Sequence, residues 1–402
     1  MKRSAVPRAW LVLVAVSVGL LFGSGTTFPS LGIPLFAMAG QFHWSQAAAG
    51  SAFLTLGVVV SATSLAPMVL IPRIGARWTM TGGMLLLACG FLLASATQSL
   101  WGLYAATAVF GFAFALVANA SGTYLVASWF QDRAPSVLGL YIMVGNLGGA
   151  VIPPLAGVLV VSSGGWRFYW QAMAAVAVVM GGLCALLIRE PPAPAEFETG
   201  GEQGWGYRTF LPTPQFMIVA AGMVAIQACT NVVGAVATPH LVQLGWPQTL
   251  APQILGLQGL VGALATGAAG WLTERFDPRK VMAAALTAEA VGLAMFAFAH
   301  KLWLVYAFTP VFGAGWSVST LAGIVILIRY FGRRSGTAAQ STVWTLAGVA
   351  TAGPSLAGLV ADRTGGFAPS LLALAALLLP LAAASLTMKP LHVSGLEERP
   401  SR

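Results

Sequence analysis

Polar side chains able to grip a solute recur at helical spacing inside otherwise apolar segments. Asn119 and Thr123, Gln227 and Asn231, Trp316 and Thr320, and Gln340 and Trp344 each stand four residues apart. That spacing places each pair on one helix face. Amides, hydroxyls and indoles offer hydrogen bonds without a formal charge. In a lipid interior an unpartnered amide is costly, so such faces turn inward. There they either contact a solute or tie neighbouring helices together. Glu289 is the one acid in the middle of an apolar run. An intramembrane carboxylate reads either as a neutral structural acid or as a proton-coupling group.

Catalytic chemistry finds no support. The chain has no Gly-rich loop ending in Lys to cradle a phosphate, and no nucleophile beside a base. Cys89, Cys184 and Cys229 are far apart, show no metal-ligand spacing, and are read as small packing residues. No metal, no cofactor and no enzymatic activity are expected. His43, His240 and His300 fall near segment ends and His392 in the tail, which argues against a mid-membrane His relay.

The elements that must carry these residues are membrane helices. Hydrophobic residues make up 57% of the chain and charged residues 8%, against about 25% charged in an ordinary soluble domain. The apolar residues form twelve runs, over 10–31, 47–71, 78–97, 100–127, 135–161, 166–188, 214–239, 251–273, 281–299, 302–328, 336–361 and 366–388. Each is near or above the ~20 residues needed to cross a bilayer. The first run is read as a span and not as a cleaved leader, because it is long and opens a repeat.

The repeat is explicit. Trp129-Phe130-Gln131-Asp132-Arg133 is echoed by Tyr330-Phe331-Gly332-Arg333-Arg334, Pro153-x-Leu155-Ala156-Gly157 by Pro354-x-Leu356-Ala357-Gly358, and Gly164-Gly165-Trp166 by Gly365-Gly366-Phe367. All three hold an offset of 201, and Arg73-x-Gly75-x-Arg77 matches Arg275-x-Asp277-x-Arg279 at 202. Two like hydrophobic halves enclosing a central site is a transporter architecture. The expected organisation is a six-helix bundle over 1–188, a linker over 189–213, a second six-helix bundle over 214–388 and a tail over 389–402. Gly145, Gly148, Gly149 and Pro153-Pro154 in the fifth run, and Gly353-Pro354 in the eleventh, predict kinks where helices pack closely and where the halves can rock.

Of the 20 Lys and Arg, all but Arg167, Lys301 and Arg363 fall on the side of the N-terminus when the twelve runs alternate in direction. The positive-inside rule then predicts both termini in the cytoplasm of a multi-pass protein of the cell (inner) membrane. The net charge of +9 is scattered over short loops on that side. No basic face exists to bind nucleic acid.

The loop Gly270-Trp271-Leu272-Thr273-Glu274-Arg275-Phe276-Asp277-Pro278-Arg279-Lys280 resembles the cytoplasmic signature of the major facilitator superfamily. The acid there can cap or pair with a neighbouring helix end. The matching loop of the first half keeps Arg73, Gly75 and Arg77 but has Pro72 where the acid belongs. Asp132-Arg133 and Arg333-Arg334 occupy matched inside loops, as helix-end anchors or an inside gate. A narrower resemblance is to the monocarboxylate transporters and their oxalate/formate-type relatives. It is carried by Phe28-Pro29-Ser30-Leu31-Gly32-Ile33-Pro34 running into Gln41-Phe42-His43-Trp44-Ser45, by Asn119, Tyr124, Trp129-Phe130, Arg133, Gly139, Gly148-Gly149 and Pro153 to Gly157, and by Gly165-Trp166-Arg167. Two departures stand out: Ser30 replaces the Lys of animal members, and 251–272 holds no charge.

These resemblances imply an all-α membrane protein, with 12 transmembrane helices forming two pseudo-symmetric six-helix bundles (the major facilitator fold). They imply a monomer that carries a small organic acid by alternating access, with protons as a candidate co-substrate and the bilayer as surroundings. Spans one, four, seven and ten would surround the path, with two, five, eight and eleven beside them. The candidate substrate contacts are then Thr26, Thr27, Asn119, Thr123, Tyr141, Asn146, Gln227, Asn231, Gln258, Trp316, Thr320, Gln340 and Trp344. The candidate gate and loop residues are Arg73, Arg77, Asp132, Arg133, Glu274, Arg275, Arg279, Arg333 and Arg334. The other reading is a transporter or exporter of an uncharged or amphipathic solute or drug.

Overall fold

The computed structural model describes residues 5–130, 133–162, 165–190 and 210–389, without the side chains of 5–7, 119–120, 134–136, 162, 332–335 and 337–338. Among the described residues there are helices and turns and no strand. Twelve helical spans are long and apolar enough to cross a bilayer: Arg8–Phe42, Gln46–Thr63, Ala66–Ala96, Leu100–Phe130, Val137–Val161, Gly165–Leu187, Pro214–Gln243, Leu250–Arg275, Pro278–Ala297, Leu302–Phe331, Ala339–Thr364 and Ala368–Thr387. They are called spans 1 to 12 below. Helices meet the demand of lipid, which leaves no outside partner for a backbone N–H or C=O, because each satisfies its own backbone groups.

Two cores form. One is built from buried residues between Val12 and Ile188, with Phe91, Phe110 and Trp170 stacked at ring separations of 4.9–5.6 Å. The other runs from Phe210 to Met388, with Phe296, Phe308 and Phe312 stacked in series at 4.5 and 5.2 Å. Offset and edge-on ring pairs of this kind add roughly 0.5–1.5 kcal/mol beyond their buried area.

Several spans are broken where the sequence punctuates them. Span 1 stops at Thr27, turns through Phe28 to Leu31, and resumes as Gly32–Phe42. The predicted end at residue 31 is therefore the break and not the end. Pro29 supplies no N–H at that turn, and the Ser30 hydroxyl donates to the Gly25 carbonyl across it. Span 4 breaks at Ala118, span 5 at Leu147, and span 11 passes through a 3₁₀ segment, Ala347–Ala352, before Gly353-Pro354. The kinks expected in spans 5 and 11 are present, the first lying just ahead of Pro153-Pro154 and inside the glycine cluster.

The sequence placed spans 2 and 3 at 47–71 and 78–97. The helix instead breaks after Thr63, restarts at Ala66, and bends at Gly75 (φ 84, ψ 158). Pro67 in the first turn favours that restart. The bend is of a kind glycine adopts freely and other residues do not.

Candidate functional site

The halves meet mainly through spans 2 and 11 and through spans 5 and 8, with the outer part of span 1 against span 7. They meet at the end that carries the start of span 2. There Asp362, late in span 11, accepts hydrogen bonds from the backbone N–H of Gln46 and of Ala47, both at 3.0 Å. These are the first residues of span 2, so one carboxylate caps a helix belonging to the other half. Ser51 and Ser355 share a hydrogen bond of 2.8 Å one turn deeper. Backbones touch at this end: a methyl group added to Gly50 would lie 2.5 Å from the Pro354 carbonyl oxygen. On the other seam, one added to Gly259 would lie 2.4 Å from the Gly149 carbonyl carbon.

Toward the opposite, cationic end the partners separate. Gly157, Gly256 and Gly259 are in close contact across spans 5 and 8, whereas Gly139, Gly267 and Gly270 meet nothing within 4 Å. Met143 on span 5 is 44% exposed and Trp344 on span 11 is 40% exposed. Spans 2 and 11 stay together down to Ser61 beside Gly348, and Leu65 and Leu346 beyond them are exposed. The halves are thus in close contact at the Asp362 end and apart toward the cationic end.

The deepest polar cluster lies on the second half. The Trp316 indole N–H donates to Gln227 Oε1 at 3.4 Å, joining spans 10 and 7. The Trp316 ring lies against Gly262 on span 8, one turn from Gln258, whose backbone packs on Gly313 of span 10. Gln258 is buried, and its side-chain oxygen has no partner. Asn231 is buried one turn along span 7, and the Thr320 hydroxyl returns to the Trp316 carbonyl at 2.8 Å. Asn146 is half-buried at the break of span 5, three residues before Gly149, the glycine that touches Gly259. Thr123 is half-buried on span 4, and Gln340 is half-buried on span 11 one turn before Trp344.

Other expected contacts are interior. Thr26 and Thr27 are fully buried, and their hydroxyls donate to the Phe22 and Gly23 carbonyls of their own helix. Threonine in a lipid-embedded helix meets its hydrogen-bonding need most simply in this way. Tyr141 is fully buried with its hydroxyl pressed on Gly122, packing span 5 to span 4. The Asn119 side chain lies outside the described residues, although its backbone begins the second segment of span 4.

The cationic-end loops differ from the expected pattern. Glu274 is exposed on the last turn of span 8. The cap is Asp277, which accepts from the Arg279 backbone N–H and pairs with its guanidinium at 3.0 Å. Asp277 immediately precedes Pro278, a first-turn proline, so the capping geometry falls to it. The Arg279 guanidinium holds the Asp277 carboxyl below the usual carboxylate range. Arg275 lies over the Trp271 ring at 4.8 Å.

In the first half Gly75 stands where Asp277 stands in the second. The missing carboxylate arrives from elsewhere: Glu190 accepts from the Arg77 N–H at 3.1 Å, and its oxygen lies 2.4 Å from where a Gly75 side chain would begin. The neighbouring Arg189 carbonyl accepts from the Trp129 indole at 3.1 Å. Arg77 itself lies over Trp78, and Arg73 and Arg133 are exposed. Asp132 and the side chains of Arg333 and Arg334 lie outside the described residues. Arg329, which the sequence did not single out, donates to the Thr273 carbonyl at 2.8 Å, joining spans 10 and 8 at their cationic ends.

Among the described residues no cluster of His, Cys, Asp or Glu could hold a metal ion. The arrangement can bind an organic solute through neutral donors and aromatic faces, and can expose it at one end.

Comparison with known proteins places this geometry. The chain matches the sequence model of the Major Facilitator Superfamily over residues 15–267 and 218–400. It is 25% identical over 252 residues to the class C tetracycline resistance protein of Escherichia coli, covering 58% of this chain. That match spans 60% of the relative's own length. Its fold resembles a bacterial homologue of the human lysosomal transporter Spinster, solved in inward-facing states. The unoccupied form has a TM-score of 0.78 at 14% identity, over 94% of this chain and 96% of that one. A mutant of the nucleoside transporter NupG gives a TM-score of 0.75 at 15% identity, over 92% and 99%.

Proposed function

The chain belongs to the Major Facilitator Superfamily, and on that premise we propose that it moves a small organic acid across the membrane by alternating access. The observation that carries this reading is the contact of the halves at one end and their separation at the other, around a cluster that bears no charge. Gln227, Gln258, Asn231 and Trp316 offer hydrogen bonds and an aromatic face but no cation. A free carboxylate in such surroundings would lack the partner it needs. The charge of the acid is therefore balanced by a co-transported proton, held on the acid or on a carboxyl of the protein, which makes the reading a symport. Thr123, Asn146, Thr320, Gln340 and Trp344 complete the proposed path.

The Lys and Arg bias supports placing the cationic end, both termini and the 189–213 linker in the cytoplasm. The parted end then faces inward. The six-helix units of 1–188 and 214–388 would rock about the mid-membrane cluster, closing the cationic end and parting Asp362 from span 2.

Uptake of labelled lactate, pyruvate, oxalate or formate into vesicles holding the purified protein, with and without a pH gradient, tests the reading. Accumulation driven by the gradient supports it. No flux of any of the four removes the organic-acid assignment. A second reading, export of an amphipathic solute, is favoured by the exposed Trp344 and by the tetracycline-resistance relative. Gradient-driven movement of tetracycline, without flux of the acids, would establish it.

A further inference from the structure

Glu289 is completely buried, twelve residues into span 9, and neither carboxyl oxygen has a hydrogen bond of ordinary geometry. Its surroundings are specific. The backbone of span 9 at this residue packs directly on Gly315 of span 10, where an added methyl group would lie 2.9 Å from the Glu289 nitrogen. The glycine lets span 9 approach so closely that the carboxyl stands directly behind span 10. On the other side of the same turn is Trp316, the residue bonded to Gln227.

The groups facing Glu289 can be named for each neighbouring helix. Span 10 contributes Ser319, which is buried beside it. Span 7 contributes the buried thiol of Cys229. Span 12 carries no titratable side chain over 368–387, and the only charges of span 8, Glu274 and Arg275, are exposed at its cationic end. On span 9 itself the nearest charge is Lys280, nine residues away, or about 13 Å along the helix. No cation faces the carboxyl.

Ser319 stands between the two helices, and its hydroxyl reaches the Trp316 carbonyl at 3.1 Å. Neither Glu289 oxygen is held by a donor in this arrangement, and a buried carboxylate without donors is far costlier than the neutral acid. The neutral acid suits this state; the anion suits only a state in which span 10 has moved and water or a donor reaches the oxygens.

We propose that Glu289 is a proton-binding site of the transport cycle, loaded through span 10 from the parted end. One proton joins the carboxylate to give the carboxylic acid while the cationic end is open, and the same proton leaves when span 10 shifts. This rests on the symport reading above, and adds a place on the protein where the proton is held. It couples through a span outside the solute path, so a change of charge there acts on Trp316 and Gln227 from behind.

The test uses the full chain in lipid vesicles and N,N′-dicyclohexylcarbodiimide, an apolar reagent that modifies protonated carboxyls in membranes. Peptide mapping by mass spectrometry reads the adduct at Glu289. The expected result is labelling at low pH that falls at least tenfold as the pH is raised, and none at this position in Glu289→Gln. Labelling of equal extent at every pH, or no labelling at any, overturns the proposal, since a fixed structural acid gives one or the other. The wild-type profile needs no variant, so it stands even if the substitution fails to fold.

Where one of the four acids is transported, Glu289→Gln is expected to lose pH-driven accumulation tenfold or more while keeping exchange of labelled for unlabelled solute. Unchanged accumulation in that variant overturns the proposal. Absence of flux in the wild type would instead strike the organic-acid reading, leaving the labelling profile to decide about Glu289.

Discussion

Asp362 and Gln46 lie 316 residues apart in the chain, and a hydrogen bond of 3.0 Å joins the carboxylate of one to the backbone N–H of the other. With its second oxygen on Ala47, Asp362 satisfies two of the amide groups that a helix start leaves open. On the proposed alternating-access cycle this contact breaks each time that end opens, which would make it a latch.

Asp362→Asn should loosen that latch, because an amide has one acceptor oxygen and no charge. Such exposed charge-assisted contacts contribute on the order of 1 kcal/mol, or about a fivefold change in population. A cysteine placed at Ser355 should then react several-fold faster with a membrane-impermeant maleimide. An unchanged rate would mean that Asp362 does not hold this end shut.

Gly50→Val should prevent the same closure by steric means. Its side chain would meet the Pro354 backbone, which has no rotamer to yield. Transport should fall to background while the protein still elutes as a single species on size exclusion. Retained transport would show that spans 2 and 11 need not approach so closely.

Gln258→Ala should weaken solute binding without unfolding the bundle. The side-chain oxygen is buried and has no protein partner, so its removal leaves no protein group newly unpaired. Loss of a ligand hydrogen bond at a buried site costs about 1–3 kcal/mol, which is read as about a fivefold or greater rise in KM for the transported acid. Trp316→Phe should raise KM less, because the ring stays and only the indole N–H is lost.

Glu190→Ala should lower the melting temperature by about 1–3 °C, as expected when a helix cap worth about 1 kcal/mol is removed from a chain of this size. Glu190→Gln keeps one acceptor oxygen and should lose less. Gly75→Ala should be the most damaging of the three. It forces a side chain into the φ 84 conformation and into the space filled by the Glu190 carboxylate. Thermal unfolding in detergent, followed by tryptophan fluorescence, gives all three values.

The Asp277 cap should show in acid. Its carboxyl titrates below the usual range because Arg279 hydrogen-bonds the charged form. A depressed native value means that the stabilisation is complete above the unfolded value, about 3.9, and is lost as the pH falls through the native one. Asp277→Asn should therefore lose stability at neutral pH and show a flatter decline below about pH 4. Parallel melting curves for the two proteins across that range would contradict the cap.

Much of the fold could be read from the chain because lipid imposes simple rules. Twelve apolar runs of spanning length and two kinks at Gly-Pro clusters were legible in residue order alone. The entrance to span 3 was not, because Pro67 and Pro72 lie in a run whose hydropathy conceals the break after Thr63. Gln227 and Trp316 were chosen for their spacing, and the structure brings them together. Thr26 and Thr27 were chosen as polar residues of an inner span, yet a hydroxyl can bond its own helix, and position in a span does not reveal that. Asp362 escaped because its partner is a backbone N–H in the other half. Its repeat counterpart is Val161, and that break in the internal symmetry was the available signal.

The borrowed cap at Gly75 makes the two bundles unequal. The second carries its own carboxylate within its loop, at Asp277, while the first depends on Glu190, just past its last helix. A chain severed within 191–209 leaves both pieces fully equipped, and such fragments, co-produced, are suited to reassemble. Severed two residues earlier, ahead of Glu190, the leading piece is orphaned from its own stopper. The boundary between the duplicated units thus lies one carboxylate further along than the helices alone would draw it.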